Sequence, residues 1–469
     1  MRISRTRSLV TLGLAVAMAS AATAAESRHV YILLIDGCDA RRLTEETTPT
    51  LWALSHPGPL RATSYSAARA AMPSVTNTNH AAIMTAAYSA ANGIVGNSFW
   101  DRDPAHAPVS TESAQYLEVE TLFTVIEKER PALVTAGLFG KSKLVNLFSA
   151  VPDQQHAPDM LWGDAASEAE AIDVRAGFAS DQRTMDEVVR TIEQRQPDFM
   201  FAALPDVDRT SHIFGPDSVP ARKALSQADR QVGRLLTFLQ QQESWPRTVL
   251  MITADHGFAS VEPNRAEGRP YPLVLFGREL LRAGFTDLVP VANGAVESIA
   301  LAGGSRDKLS DADGQRMAQA RALALAQPEV AEAWYRVPNP ADGGSEFTLA
   351  HAHPDWHLEH PRTGELILVA KPHHHFGDPF TPRVAGLLGN HGGPDESHIP
   401  ILITGGDPSV RAQVVADDGA VPQAANPDLG ATAAWLLGVR MPRTIKGKAV
   451  PKELTGRVLR EAFEPSATP

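Results

Sequence analysis

Apolar residues along this chain follow two rhythms that alternate. Uninterrupted runs of strand length occur at Val30–Ile35, at residues 132–139, at Asp198–Leu204 (DFMFAAL), at Thr248–Thr253 and at Ile399–Thr404. A continuous apolar run is what a strand covered on both faces requires. Between them lie helical spacings. Leu122, Val125 and Ile126 share one face of residues 119–130; Val188, Val189 and Ile192 share one face of residues 184–196. Ser218 and Pro220 open a long helix in which Leu225, Ala228, Val232, Leu235, Leu236 and Leu239 recur at core spacing. The segment NPDLGATAAWLLG closes the chain as an amphipathic helix stopped at Gly438. Strand, helix, strand, helix predicts an α/β fold, a mostly parallel central sheet with helices on both faces.

Two stretches break the rhythm. Residues 149–180, rich in Pro, Asp and Ala, read as a surface excursion. Residues 259–385 hold short strand-like runs (Leu273–Phe276, Glu365–Ala370) and a helix near Gln315–Ala326, which reads as an inserted α+β cap subdomain. The main domain is thus expected at residues 26–455, with residues 456–469 as a tail. Residues 1–25 have the layout of a secretory signal: Arg2, Arg5 and Arg7, an apolar run from Leu9 to Met18, then small residues ending in ATAA. The expectation is an exported protein, periplasmic or secreted, with no stable membrane anchor after cleavage. The 469 residues are 43% hydrophobic and carry a net charge of −11 without a basic cluster. That disfavours a nucleic-acid polymer as partner and leaves a small phosphorylated substrate open; nothing in the sequence fixes an oligomeric state. Cys38 is the only cysteine, so no intrachain disulfide forms, and it reads as a small buried hydrophobe.

Chemistry concentrates between Met72 and Asp101. A turn-rich lead (Pro73, Ser74, Asn77, Asn79) precedes the run Ala81–Met84, so a helix is expected to start just after Thr76. A hydroxyl there faces free N–H groups and the positive end of the helix dipole, which suits a phosphoryl group. Threonine is a weak nucleophile unless a base or a cation removes its proton. Four separated places offer ligands: Asp36, Asp208 with His212, Asp255 with His256, and His391. Asp36 and Asp255 each follow a strand-like run and precede a glycine, which places them at carboxyl ends of strands where α/β sites form. Mixed oxygen and imidazole donors suit zinc or a similar divalent ion. Asp206, close to Asp208, is assigned to supporting or loop structure.

The segments PSVTNTNH, NGIVGN, the D-x-x-S-H-x-x-G-P from Asp208 to Pro216, TADHG and GNHGG resemble the alkaline phosphatase superfamily. Within it they resemble the type I phosphodiesterase/nucleotide pyrophosphatase branch and its relative phosphonoacetate hydrolase. The resemblance spans about residues 30 to 405 and implies an alkaline-phosphatase-like fold with two divalent ions, zinc in kind. It implies that Asp208, His212 and His391 hold one ion and that Asp36, Asp255 and His256 hold the other. Thr76 would bind beside the second ion and attack phosphorus, giving a phosphothreonine intermediate. Asn97 and backbone N–H groups after Thr76 would hold non-bridging oxygens. Thr78, Ala86, Asn92 and Val207 depart from the residues common in these relatives, and none of them is a ligand.

The implied activity is that of a metal-dependent hydrolase acting on phosphodiester or nucleotide-type substrates. Lys141 and Lys143, in GKSKL, are similar in place to a Lys-x-Lys pair that holds the substrate carboxylate in phosphonoacetate hydrolase, so C–P bond hydrolysis is the alternative activity. A binding protein that holds a phosphorylated ligand without turnover is disfavoured, because Thr76 and all six Asp and His positions are present. His351, His353, His357, His360, His373, His374 and His375 form a histidine-rich tract that reads as a solvated surface, since no single coordination geometry links them.

Overall fold

The computed structural model describes residues 27–58, 60–149, 156–163, 178–261, 273–305, 307–377 and 387–465. The leader assigned to residues 1–25 lies outside the described residues. At the centre is an eight-stranded sheet in the order Gln413–Val415, Ala62–Tyr65, Ile401–Gly405, Thr248–Thr253, His29–Ile35, Phe199–Leu204, Thr135–Phe139 and Met160–Trp162. Of these, Ile401–Gly405 runs against the others. His29–Ile35 lies in the middle, buried along its whole length, which is why its sequence reads as an unbroken apolar run.

Register aligns the ends of the central strands. Ile35 stands opposite Leu204, Leu34 opposite Thr253, and Phe139 opposite Ala203. Asp36, Asp255 and Lys141 therefore leave the same edge of the sheet within one or two residues of the last pair. Two backbone bonds fix the crossing: Asp36 N–H donates to Leu204 O at 2.9 Å, and Asp208 N–H donates to Asp36 O at 3.0 Å.

The flanking helices follow the pattern expected of them. Asp181–Arg195 is capped by Ser180, whose side chain accepts from Arg183 N, and buries Met185, Val188 and Ile192. Val219–Gln240 is capped by Ser218, which accepts from Ala221 N, and buries the apolar positions noted above. Asn426–Leu436 departs from expectation. It is buried on nearly all sides rather than amphipathic, because small residues let it press onto the helix Thr76–Thr85. A Cβ at Gly430 would lie 1.9 Å from Ile83 O. The sequence reading also missed Ala62–Tyr65, Met160–Trp162 and Gln413–Val415, strands of three or four residues that have no room to display a period. Met160–Trp162 falls within the stretch read as a surface excursion, where it pairs with Thr135–Phe139 near the sheet edge.

A second, antiparallel sheet follows the order Leu288–Asn293, Val296–Leu301, Leu366–Ala370 and Val330–Tyr335. Helices Phe276–Arg282 and Asp311–Leu325 contribute to its core, with Phe276, Leu280, Met317 and Ala320 packed among Ile299, Tyr335, Leu366 and Leu368. Leu273–Phe276, read as a strand, is a two-residue strand that turns into the first of these helices. Buried Glu365 ties this sheet to the main body: Arg102 Nη1 and Leu301 N–H both donate to Glu365 Oε2 at 2.8 Å, and Arg336 Nη2 lies 3.2 Å from Oε1. Removing one partner of such a buried ion group typically costs about 3–5 kcal/mol, because the remaining charge stays desolvated.

Two carboxylates do structural work that can be measured. Asp206 and Asp181 cap each other's helices: Asp206 Oδ2 accepts from Asp181 N–H and Asp181 Oδ1 accepts from Asp206 N–H, both at 2.9 Å. Asp206→Ala is expected to lower stability by about 0.5–2 kcal/mol in urea unfolding while leaving bound metal unchanged. Asp428 accepts from Ala425 N–H and Arg457 N–H at 3.0 and 2.8 Å, and burial pushes its pKa up to about 6. The folded state therefore takes up a proton more readily than the unfolded chain. The stability that Asp428 contributes is full below about pH 4 and is lost as pH rises through about 6. Asp428→Asn, which cannot ionise, should lose about 2–3 kcal/mol less than the parent between about pH 4 and pH 7.

Candidate active site

Thr76 is the first residue of the helix Thr76–Thr85, and the N-cap is Val75. The helix thus starts one residue earlier than the sequence suggests, because Asn79 takes over the local bonding. Asn79 Oδ1 accepts from Ala71 N–H at 2.7 Å, and Asn79 Nδ2 donates to Ala71 O and Val75 O at 3.0 and 3.2 Å. The Thr76 hydroxyl is left out of capping. It lines a cavity of about 360 Å³ together with Asn97, Glu112, Lys141, Ser142, Lys143, Phe178, Asp208, His212 and His391.

Near Thr76 the structure brings Asp36, Asp255, His256 and His391, from strand ends and loops, together with Asp208 and His212 of the helix Asp206–Phe214. The donor atoms of all but His212 fall in two overlapping groups, Asp36–Asp255–His256 and Asp208–His256–His391, each within 4.8 Å. His256 Nε2 stands between the groups, 3.3 Å from Asp255 Oδ2, 3.6 Å from Asp36 Oδ1 and 3.9 Å from Asp208 Oδ1. His212 Nε2 and His391 Nε2 approach Asp208 Oδ1 at 3.4 and 3.6 Å. The imidazoles are oriented alike: Nδ1 of His212, His256 and His391 lies 3.1, 3.0 and 2.9 Å from the carbonyls of Gly389, Gly257 and Ser74. A carbonyl can only accept, so each Nδ1 carries the proton and each Nε2 presents its lone pair to the aspartates.

This donor set fits divalent cations. Asp36 Oδ1, Asp208 Oδ1, Asp255 Oδ2 and His256 Nε2 are buried without a hydrogen-bond partner among the described residues, an arrangement that is costly unless a cation fills it. Burial, then the facing carboxylates of Asp208 and Asp255, push the Asp36 carboxyl well above the usual range. Burial followed by the neighbouring imidazoles holds His391 well below the ordinary histidine value, and burial also lowers His256. Both rings are therefore in the neutral form that binds metals.

The two lysines have different surroundings. Lys141 is buried, with Nζ 2.7 Å from both Asp36 Oδ2 and Asp208 Oδ2 and 3.4 Å from Thr76 Oγ1. Burial opposes its charge, but the carboxylates of Asp208 and Asp36 outweigh it and hold its pKa above the usual lysine value. Lys143 is only partly buried, and desolvation followed by repulsion from Lys141 lowers its pKa. Asn97 Oδ1 accepts from Asn77 N–H at 2.9 Å. The first backbone donor after Thr76 is thereby used up, contrary to the expectation that it faces a ligand, and the Asn97 amide nitrogen remains to donate into the cavity.

Several contributors were not singled out from the sequence. His80 Nδ1 lies 2.9 Å from Thr76 O and 3.6 Å from Asp255 Oδ2, linking the nucleophile's helix to the carboxylates, and burial lowers its pKa to about 4. Glu396 Oε2 accepts from Gly393 N–H at 2.8 Å and so braces the loop after His391. The hairpin tip of the second sheet reaches the site: Asn293 Oδ1 accepts from Ser98 N–H at 3.1 Å, and Ala295 N–H donates to His391 O at 3.0 Å. At Gly294, with φ +72°, a Cβ would meet His391 O at 1.8 Å. The Asn-Gly dipeptide between apolar runs was the available signal for this hairpin. The histidine tract does not converge. His353 Nε2 pairs with Glu332 at 2.7 Å, His373 is exposed, His374 is half-buried, and His375 is buried with its pKa lowered to about 4 by desolvation.

Known proteins resemble this chain in sequence and in fold. The chain is 25% identical over 245 residues to an uncharacterized pyrophosphatase/phosphodiesterase of Schizosaccharomyces pombe, covering 50% of this chain and 46% of that protein. It is 26% identical over 204 residues to a venom phosphodiesterase of Macrovipera lebetinus, covering 42% and 22%. The chain thus spans less than half the length of these curated relatives. Among solved structures, murine ectonucleotide pyrophosphatase/phosphodiesterase 5 superposes with a TM-score of 0.65 at 17% identity over 93% of this chain and 100% of that one. Phosphonoacetate hydrolase from Sinorhizobium meliloti 1021, in complex with phosphonoformate, superposes at 0.59 with 18% identity over 86% and 94%. The sequence model of one family matches residues 30–394, and with the α/β architecture and the strand-end cluster this shows that the chain belongs to the type I phosphodiesterase/nucleotide pyrophosphatase family.

Proposed function

We propose that this protein is an exported two-metal phosphoric ester hydrolase that cleaves phosphodiester or nucleotide-type substrates with Thr76 as nucleophile. The observation that carries the reading is a threonine hydroxyl left out of capping at a helix N-terminus, lining one cavity with Asp208, His212 and His391, beside two overlapping groups of buried carboxylates and imidazoles several of whose atoms lack a hydrogen-bond partner. Asp36, Asp255 and His256 would hold one divalent ion and Asp208, His212 and His391 the other, with His256 close to both. Bound there, two such ions, zinc in the simplest case, would neutralise phosphoryl charge and lower the proton affinity of Thr76.

The chain's own groups account for the rest. Thr76 Oγ1 gives up its proton and bonds to phosphorus as the bond to the leaving oxygen breaks, and the leaving group departs as an alcohol or a nucleotide fragment. Water then attacks the phosphothreonine, releasing a phosphomonoester or phosphate and returning the proton to Thr76. The Asn97 amide nitrogen, and first-turn N–H groups other than those of Asn77 and Asn79, donate to the non-bridging oxygens. Thr76 lies only 3.4 Å from the Lys141 ammonium, which favours its deprotonated form. Support for a nucleotide-type substrate comes from an inactive variant of murine ectonucleotide pyrophosphatase/phosphodiesterase 5, solved with AMP, which superposes with a TM-score of 0.66. Lys143, lining the same cavity, supports a second reading in which a carboxylate-bearing phosphonate is cleaved.

Purified protein supplied with zinc should hydrolyse a bis-nitrophenyl phosphodiester faster than nitrophenyl phosphate or phosphonoacetate. Faster turnover of phosphonoacetate would exchange the first reading for the second. Thr76→Ala should lose at least about three orders of magnitude in kcat while keeping its metal content, and Thr76→Ser should keep partial activity. Parent-like turnover in Thr76→Ala would rule out the covalent route. Asp255→Asn and His391→Ala should each lower bound metal by about one ion per chain, measured by elemental analysis. Full occupancy in both variants would show that these residues are not ligands.

A further inference from the structure

We propose that Lys141 is a clamp that joins the two halves of the metal site by binding one carboxylate of each through its outer oxygen. The inference rests on the two-ion reading above and extends it to a residue that touches neither ion. Lys141 Nζ is 2.7 Å from Asp36 Oδ2 and 2.7 Å from Asp208 Oδ2, which come from opposite halves of the donor set. The other oxygen of each acid faces the imidazoles: Asp36 Oδ1 lies 3.6 Å from His256 Nε2, and Asp208 Oδ1 lies 3.4 and 3.6 Å from His212 and His391 Nε2. Each aspartate thus divides its oxygens, one for the ammonium and one for the cation side.

The division has a physical consequence. A free carboxylate can rotate and offer either oxygen, or both, to a cation. With Oδ2 held by the ammonium, through a hydrogen bond in Asp208 and an ion pair at 2.7 Å in Asp36, each aspartate presents its other oxygen in a set direction, and outer partners of this kind strengthen metal binding. Lysine suits the task because one nitrogen carries three donors, enough for Asp36, Asp208 and the Thr76 hydroxyl at 3.4 Å. Its own place is fixed, since it is the N-cap of the helix Ser142–Leu147 and its backbone bridges to Phe178. In this arrangement the Lys141 ammonium is committed to protein carboxylates, and Lys143 is the lysine left to meet an anionic substrate.

The test is metal affinity, read by competition of the purified protein with a chromophoric zinc chelator, alongside ion counting. Lys141→Met should weaken both ions by about 10–100-fold, whereas Lys143→Met should leave both unchanged. Affinity for either ion that is unchanged or tighter in Lys141→Met overturns the proposal: the first outcome returns Lys141 to the substrate, and the second makes it a competitor of the metal. If Lys141→Met fails to fold, Lys141→Arg retains the charge and decides the matter. A guanidinium is larger than an ammonium and cannot take its place between the two oxygens without moving them, so both ions should weaken, by less than the neutral substitution would cause. Parent-like affinity in Lys141→Arg would then overturn the clamp. A parent protein that binds no divalent ion would refute the two-ion reading itself, a result distinct from any of these.

Discussion

Three carboxylates, Asp36, Asp208 and Asp255, are forced together near the Thr76 helix start, almost out of reach of water. Desolvated like charges at this separation repel strongly, and burial raises the cost of keeping each ionised. The surrounding structure is arranged to supply positive charge and directed donors to this cluster. Lys141 neutralises part of it, and the unpartnered oxygens and nitrogens that remain define where divalent cations fit. The rigidity of the sheet is what makes the crowding tolerable, because the strands beneath are buried throughout and paired in register.

The imidazoles show how backbone geometry becomes ligand chemistry. His212, His256 and His391 come from three different segments, yet each is held at Nδ1 by a main-chain carbonyl and offers Nε2 to the cluster. Such bonds select the tautomer and stiffen the ring before any ion arrives, which reduces the entropy lost on binding. Thr76 is treated in a similar way. Asn79 and Val75 handle the helix start, so the hydroxyl is left out of capping, and His80 Nδ1, bonded to Thr76 O, stands 3.6 Å from the Asp255 carboxylate.

The second sheet contributes more than bulk. Its Asn293–Gly294 tip is wedged between the Asn97 loop and the His391 loop, joined to the first by Asn293 and pressed against the second at Gly294. The segments that carry Asn97 and His391 thereby share one support. Glu365, with Arg102 and Arg336, fixes that sheet to the body, so the position of the tip depends on a buried ion group far along the chain.

Much of this was legible in the sequence because it is local. Strand-length apolar runs such as Val30–Ile35 and Thr248–Thr253 end in acids followed by glycine, and in a parallel sheet those ends must share one edge. Asp36 and Asp255 could therefore be placed together without coordinates. The threonine at a helix start and the four-residue step from Asp208 to His212 are likewise properties of short segments. Contacts between segments depended on register and on side-chain direction. Lys141 reads with Lys143 as a substrate-side lysine in GKSKL, yet Phe139 pairs opposite Ala203, and that registration carries Lys141 between Asp36 and Asp208. The position of His256 between both donor groups and the loss of the Asn77 N–H to Asn97 have the same origin. Local sequence determined which groups could do chemistry; the crossing of distant strands decided which of them face each other, because a buried charge takes whatever partner the backbone brings within reach.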